Sequence, residues 1–114
     1  MASKSELDAA QRQLHAQAGE LQRYDQVLNS KIAVLRRTRL TEAEVDPLDA
    51  NAASYVGVGR MFLRKPLPDI KTDLKSSIQS LEGELAELET SRTRLAATFQ
   101  QSKEAFADML RQRA

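Results

Sequence analysis

A leucine stripe marks the first third of the chain. Its members recur every seven residues, at Leu7, Leu14, Leu21, Leu28 and Leu35. Seven residues are nearly two helical turns, so these side chains share one helix face. With the leucines at heptad position d, position a holds Gln11, Ala18, Asp25 and Ile32. The pattern predicts a helix over residues 5–38 whose seam is only partly apolar.

The second half of the chain carries a longer heptad pattern. Seam positions alternate four and three residues apart, at Leu74, Ile78, Leu81, Leu85, Leu88, Arg92, Leu95, Phe99, Ser102, Phe106 and Met109. Such an unbroken alternation is a strong signal for a coiled coil. Pro68 suits a first helical turn, where its missing N–H is harmless. We predict a second helix over residues 68–112.

The two helices are expected to fold back on each other as an antiparallel coiled coil. This packing brings together the two charged residues of the seam, Asp25 and Arg92. We hypothesise that they pair and fix the register, as buried polar residues do in many coiled coils. The alternative is that both side chains extend into solvent along the coil.

Residues 54–65 interrupt the heptads with a β-like pattern. Two short runs of strand-forming residues flank a glycine-containing turn at Gly59, which predicts a β-hairpin. Its apolar side chains are Tyr55, Val56, Val58, Met61, Phe62 and Leu63. Before it, residues 39–53 read as a linker, in which the Thr41-x-x-Glu44 capping box predicts a short helical turn.

The hairpin indicates that the chain is one subunit of an assembly. An isolated hairpin is marginal in water, and its open edges need to be covered. We expect its six apolar side chains to be buried against equivalent strands of neighbouring chains. The competing interpretation is that they fold onto the helices of their own chain.

Composition argues against most other classes. The chain has 114 residues, no cysteine and one histidine, so disulfides and a zinc site are not expected. A net charge of +1 gives no overall field for nucleic acid or anionic lipid. No stretch is long and apolar enough to predict a membrane span, and no signal peptide is predicted. Gly57-x-Gly59 lacks the third glycine of a dinucleotide fingerprint, and there is no phosphate-binding loop. We expect a cytoplasmic protein that is neither an enzyme nor a cofactor binder.

The hairpin also carries a family resemblance. Gly57-Val58-Gly59-Arg60-Met61-Phe62, preceded by Tyr55, resembles the hairpin of β-class prefoldin subunits. The order of heptad helix, Leu-Thr-x-x-Glu at residues 40–44, single hairpin and heptad helix is similar to that class over almost the whole chain. The resemblance implies a mainly α fold of two long antiparallel helices joined by a β-hairpin, forming one domain over residues 1–114.

The resemblance further implies a chaperone function. Prefoldin subunits of this class join α-class subunits and other β-class subunits in a hetero-hexamer, whose hairpins form a β-barrel platform. The complex holds unfolded or nascent chains, notably actin and tubulin, without ATP and passes them to the cytosolic chaperonin. Clients are expected at the ends of the coils, which in this chain carry Leu7, Leu14, Phe106, Met109 and Leu110. Phe106 also fits a simple core role.

Two other functions fit parts of the sequence. A structural coiled-coil adaptor or tether would show the same heptads, but it would have no use for strand edges. The basic stretch from Lys31 to Arg39 raises nucleic-acid binding as a third possibility. In a basic zipper such a stretch precedes the leucines, whereas here it follows them.

Overall fold

The computed structural model describes residues 3–113. Helix α1 (Lys4–Val45) leads into strand β1 (Tyr55–Val58), strand β2 (Met61–Arg64) and helix α2 (Leu67–Arg113). Two long helices with a short antiparallel hairpin between them confirm the predicted fold class. The predicted domain of residues 1–114 includes Met1, Ala2 and Ala114, which lie outside the described residues.

Helix α1 is longer than its heptads indicated. Ser3 caps its start, because the Glu6 N–H donates to Ser3 Oγ at 3.2 Å. The helix passes the predicted end at Thr38 and reaches Val45. The Thr41 hydroxyl donates to the Arg37 carbonyl one turn back and caps nothing. The expected capping box at 41–44 is therefore wrong, and Pro47 sets the limit of the helix.

A lysine of α2 satisfies the free carbonyls that follow α1. Lys71 Nζ donates to the Asp46 carbonyl at 3.1 Å and to the Leu48 carbonyl at 3.2 Å. Both carbonyls lie beyond Val45, the last residue of α1, so they have no place in the helical ladder and Lys71 supplies their hydrogen-bond donor. Leu67, at the first position of α2, is only 2% exposed. The chain around the hairpin is thus held by both a polar cap and an apolar anchor.

The hairpin has a two-residue turn. Antiparallel pairing sets Tyr55 opposite Arg64 and Val58 opposite Met61, which leaves Gly59 and Arg60 as the turn. Gly59 has φ +60°, and within residues 3–113 no other residue type adopts positive φ. Positive φ at the first turn position alone defines a type II′ turn, whose twist matches that of paired strands. Gly59 is therefore required by backbone geometry.

The chain divides into two compact units. One, the hairpin region, consists of residues 30–85; the other, the terminal region, combines residues 3–29 with 86–113 of the described chain. In the hairpin region, Lys31 pairs with Glu84 at 2.8 Å and Arg39 with Glu82 at 2.6 Å. From one ion pair to the next the residue number rises on α1 and falls on α2, so the helical segments of this region run antiparallel.

Burial in the terminal region corrects the heptad assignment of α1. Besides the leucines, the side chains that lose solvent contact include Ala10, Gln17, Tyr24 and Asp25. The expected seam residues Gln11 and Ala18 are exposed instead. The leucines therefore occupy position a here, with d three residues after each. At the third of these positions Tyr24 buries part of an aromatic ring, and Asp25, half-buried beside it at the flank of the seam, bonds to Arg92. On α2, every predicted seam position from Leu88 to Met109 is at least half-buried.

Neither helix of the described chain carries an apolar stretch that could cross a bilayer.

The same substitution at two glycines should have opposite effects. Gly83 is exposed inside α2, and a Cβ there would meet no atom within 4 Å. We expect Gly83→Ala to stabilise the chain by about 0.5–1 kcal/mol, because alanine loses less backbone entropy in a helix. Gly59→Ala should cost about 1–2 kcal/mol locally, because alanine disfavours φ +60°. Thermal unfolding measures the first change and amide hydrogen exchange of the hairpin the second. Equal effects at both positions would contradict the turn assignment.

Candidate functional site

The hairpin exposes apolar side chains on both of its faces. Residues opposite each other share a face, so Tyr55, Gly57, Phe62 and Arg64 lie on one side. Val56, Val58, Met61 and Leu63 form the other side, which is entirely aliphatic apart from the methionine sulfur. Phe62 is 76% exposed and Met61 62%, and the other four bulky apolar side chains are exposed as well. Soluble monomers rarely display such a patch unless it binds something.

Both edges of the hairpin are open. The sheet has two strands, so within the described chain each strand has a partner on one side only. The Lys65 N–H donates to the Ser54 carbonyl at 3.0 Å, so these two residues form a hydrogen-bonded pair. Hydrogen-bonded and non-hydrogen-bonded pairs alternate along an antiparallel ladder, so the pairs Tyr55–Arg64 and Gly57–Phe62 are of the second kind. It follows that the N–H and C=O groups of Tyr55, Gly57, Phe62 and Arg64 point away from the partner strand. These groups are ready to bond another strand.

The packing of Phe62 does little to hide it. Its ring lies across Gly57, where an added Cβ atom would be 3.7 Å from the Phe62 Cε1 atom. The ring therefore covers backbone that no side chain protects. Its outer surface remains free, so the competing expectation, in which the hairpin folds onto its own helices, is not met for this residue.

Polar contacts tie the base of the hairpin to α2. The Ser54 hydroxyl donates to the Lys65 carbonyl, and Lys65 Nζ forms an ion pair with Asp73. The hydrogen bond to Asp73, reinforced by its negative charge, raises the pKa of Lys65 above its ordinary value. Sequence reasoning missed Ser54, Lys65, Lys71 and Asp73, because nothing in their spacing shows which polar residues meet across a loop.

The proposed client-binding residues all lie in the terminal region. Leu7 is buried at 7% exposure, and Leu14, Phe106 and Met109 are half-buried. Leu110 alone of the five is well exposed, at 47%. Leu110 is thus the most accessible of these side chains, whereas the others also pack in the seam. Their client-binding role remains a prediction.

Asp25 and Arg92 are in contact. Arg92 Nε donates to Asp25 Oδ1 at 2.5 Å, and Nη2 lies 3.4 Å from Oδ2. The hydrogen bond to Asp25 and the negative charge of Asp25 raise the pKa of the Arg92 guanidinium above its ordinary value. The side chains are 39% exposed for Arg92 and 49% for Asp25, so water screens the pair. The contact is compatible with a register-fixing role, which remains a prediction.

Known proteins share this combination of helices and hairpin. The family described as Prefoldin subunit matches residues 4–113, nearly the entire chain. The chain belongs to the prefoldin subunit family. The resemblance that Gly57–Phe62 and the helix order suggested is thereby confirmed.

Two known prefoldin subunits are similar to the chain, one in sequence and one in structure. It is 29% identical over 77 residues to prefoldin subunit 1 of Tetraodon nigroviridis, which covers 68% of this chain. The match spans 63% of the length of that relative. The crystal structure of the prefoldin beta subunit from Thermococcus strain KS-1 superposes with a TM-score of 0.83, at 23% identity, over 92% of each chain. The two chains therefore share the β-class prefoldin fold.

Across residues 3–113, no group of three or more His, Cys, Asp or Glu side chains is placed to hold a metal ion. His15, the one histidine, is exposed on α1.

Exchanging the charges of Asp25 and Arg92 tests whether their contact stabilises the coiled coil, as a register-fixing pair should. Asp25→Arg places two guanidinium groups together and Arg92→Asp two carboxylates, so each should lower the melting temperature by a few degrees. The double exchange restores an ion pair and should recover most of the loss. Thermal unfolding of the four proteins in low and high salt measures the coupling. Additive losses in the double variant would contradict pairing.

Proposed function

We propose that this chain is a β-class subunit of a hetero-hexameric prefoldin that holds unfolded polypeptides without ATP. The observation that carries the proposal is the hairpin, with apolar side chains on both faces and two open edges. Strand addition from neighbouring subunits would complete the backbone hydrogen bonds and bury these side chains together. The partners are other α- and β-class prefoldin subunits.

Unfolded chains, with actin and tubulin as the expected examples, would bind the terminal region and pass to the cytosolic chaperonin in the cytoplasm. Leu110 offers exposed apolar surface there, and Met109 beside it has an adaptable side chain. Weak contacts from several subunits add up through avidity, so no shaped pocket is needed. ATP would play no part, since no phosphate-binding loop occurs in the sequence.

A coiled-coil tether is the weaker alternative. The helices alone fit it, but a tether gains nothing from a stretch of chain, Tyr55 to Arg64, that builds an aggregation-prone sheet edge. Membership of a family of subunits also favours assembly with other subunits.

Incorporation into a complex tests the role of the hairpin. The chain is co-expressed with an α-class subunit and the remaining β-class subunits, and the complex is weighed by native mass spectrometry. We expect a hexamer that contains this chain. The double variant Met61→Ser/Phe62→Ser should reduce incorporation about a hundredfold, because the interface loses at least ~3 kcal/mol of free energy from the burial of two large apolar side chains.

Leu40→Ser is the matched control for this experiment. Leu40 is 66% exposed, comparable to Met61 and Phe62, but lies on α1 outside the hairpin. Its substitution should leave incorporation unchanged. Equal incorporation of the hairpin variant would remove the basis of the proposal.

Shortening α2 tests the client-binding role separately. A complex whose chain ends at Ser102 should still assemble as a hexamer but suppress the aggregation of chemically denatured actin less well, without ATP. The point variant Leu110→Ser should show part of this loss, because one exposed contact among several is removed. Arg111→Ser, at a neighbouring exposed position, should act like the unchanged protein. Loss of the hexamer on shortening would mean that the terminal region serves assembly instead.

A further inference from the structure

Charge is distributed unevenly along the hairpin. Between Asp49 and Asp69 the sequence contains no acidic residue but three basic ones, Arg60, Arg64 and Lys65. All three fall in the turn, in β2 or directly after it. The β1 side, from residue 50 to Gly59, carries no charge at all. The two open edges therefore differ, one being neutral and the other basic.

Two of these basic side chains lack a counter-charge. Lys65 is neutralised by Asp73 of α2. Arg60 and Arg64 are exposed, and neither belongs to an ion pair within residues 3–113. Arg64 is also one of the residues whose backbone N–H and C=O point outward. Its charge thus lies at the same edge as its free hydrogen-bonding groups.

A second copy of this chain is a poor partner for that edge. The outward N–H and C=O groups of β2 belong to Phe62 and Arg64, so antiparallel pairing of two β2 strands is centred on Phe62, Leu63 or Arg64. Centred on Arg64, it sets the two Arg64 side chains directly opposite each other. Centred on Phe62, it sets Arg60 of each copy opposite Arg64 of the other. Like charges directly opposite each other destabilise a strand pair, and natural edge strands use charge against self-association.

The remaining pairings of two copies also leave the arginines without a counter-charge. Centred on Leu63, the β2 strands set Arg64 opposite Phe62 and Met61 opposite Lys65. Pairing of β2 with β1 of a second copy brings the arginines beside a neutral strand. The β2 edge is therefore better suited to a strand of different sequence.

We propose that the β2 edge selects a strand of a different subunit that carries carboxylates opposite Arg60 and Arg64. This inference rests on the proposed function, because it names the partner chemistry of the same hairpin. Opposite charges across strands stabilise the pair, while the apolar side chains of β2 supply most of the buried area. The arginines thus act as selectors of the neighbour.

A charge-reversed copy of the full chain serves as the probe. The variant Arg60→Glu/Arg64→Glu keeps the hairpin backbone and presents an acidic β2 edge. It is mixed with the unchanged chain, and the homo- and hetero-pairs are measured by sedimentation and native mass spectrometry. The mixed pair should be about tenfold tighter than either homo-pair. Raising the salt to about 1 M should remove most of this preference.

A second reversed copy controls for net charge. Arg36→Glu/Arg37→Glu changes the charge equally at exposed positions of α1. It should pair with the unchanged chain no better than the unchanged chain pairs with itself. Equal affinities in all mixtures, or an equal gain with the α1 control, would overturn the charge selection while leaving hairpin assembly intact. A failure of every mixture to associate would also overturn the charge selection, whereas incorporation into the hexamer with the other subunits decides the proposed function separately.

Discussion

Strands β1 and β2 have only each other as partners within the described chain, and this unfinished backbone hydrogen bonding is the constraint on which the rest of the molecule depends. Half of the strand residues direct their N–H and C=O groups away from the ladder. The side chains around them are apolar and exposed on both faces. A free chain tolerates this only because water bonds the edges, and any strand that replaces the water gains both hydrogen bonds and buried area.

The open edges of the hairpin can pair specifically with another strand only if the hairpin keeps one conformation. The type II′ turn at Gly59 fixes one end of the hairpin, and the Ser54–Lys65 hydrogen bonds fix the other. Lys65 and Lys71 then attach the adjoining segments through Asp73 and the carbonyls after α1. Fixing the strands in advance lowers the entropy that assembly would otherwise cost. The polar contacts at the base of the hairpin thus support the apolar surface at its faces.

Periodicity predicted the elements well because it reflects burial directly. The seam positions of α2 and both strands of the hairpin follow from spacing and from Gly59, and they lie where they were expected. Two features depend on packing that spacing does not reveal. Thr41 reads as a cap, yet its hydroxyl bonds within a continuing helix, since both uses require the same residue type. The leucines of α1 allow seam partners three or four residues away, and only packing decides between Ala10 and Gln11. The candidate hairpin site was predictable in its apolar residues but not in its anchoring contacts.

The seam of the terminal region contains polar groups that make it less stable than an all-apolar coiled coil would be. Gln17 occupies a seam position, and its Oε1 atom is buried without a hydrogen-bond partner within residues 3–113. Arg92 occupies a seam position of α2 and forms a half-exposed ion pair with Asp25 at the flank of the α1 seam, where an apolar side chain would bury more area. Each of these choices weakens the seam, and a weaker seam opens more often near its ends. Phe106 and Met109 are half-buried there, so local opening would add them to the surface that Leu110 already exposes. If the chain acts as the proposed holdase, the polar residues that weaken the seam therefore also increase the apolar surface available to clients.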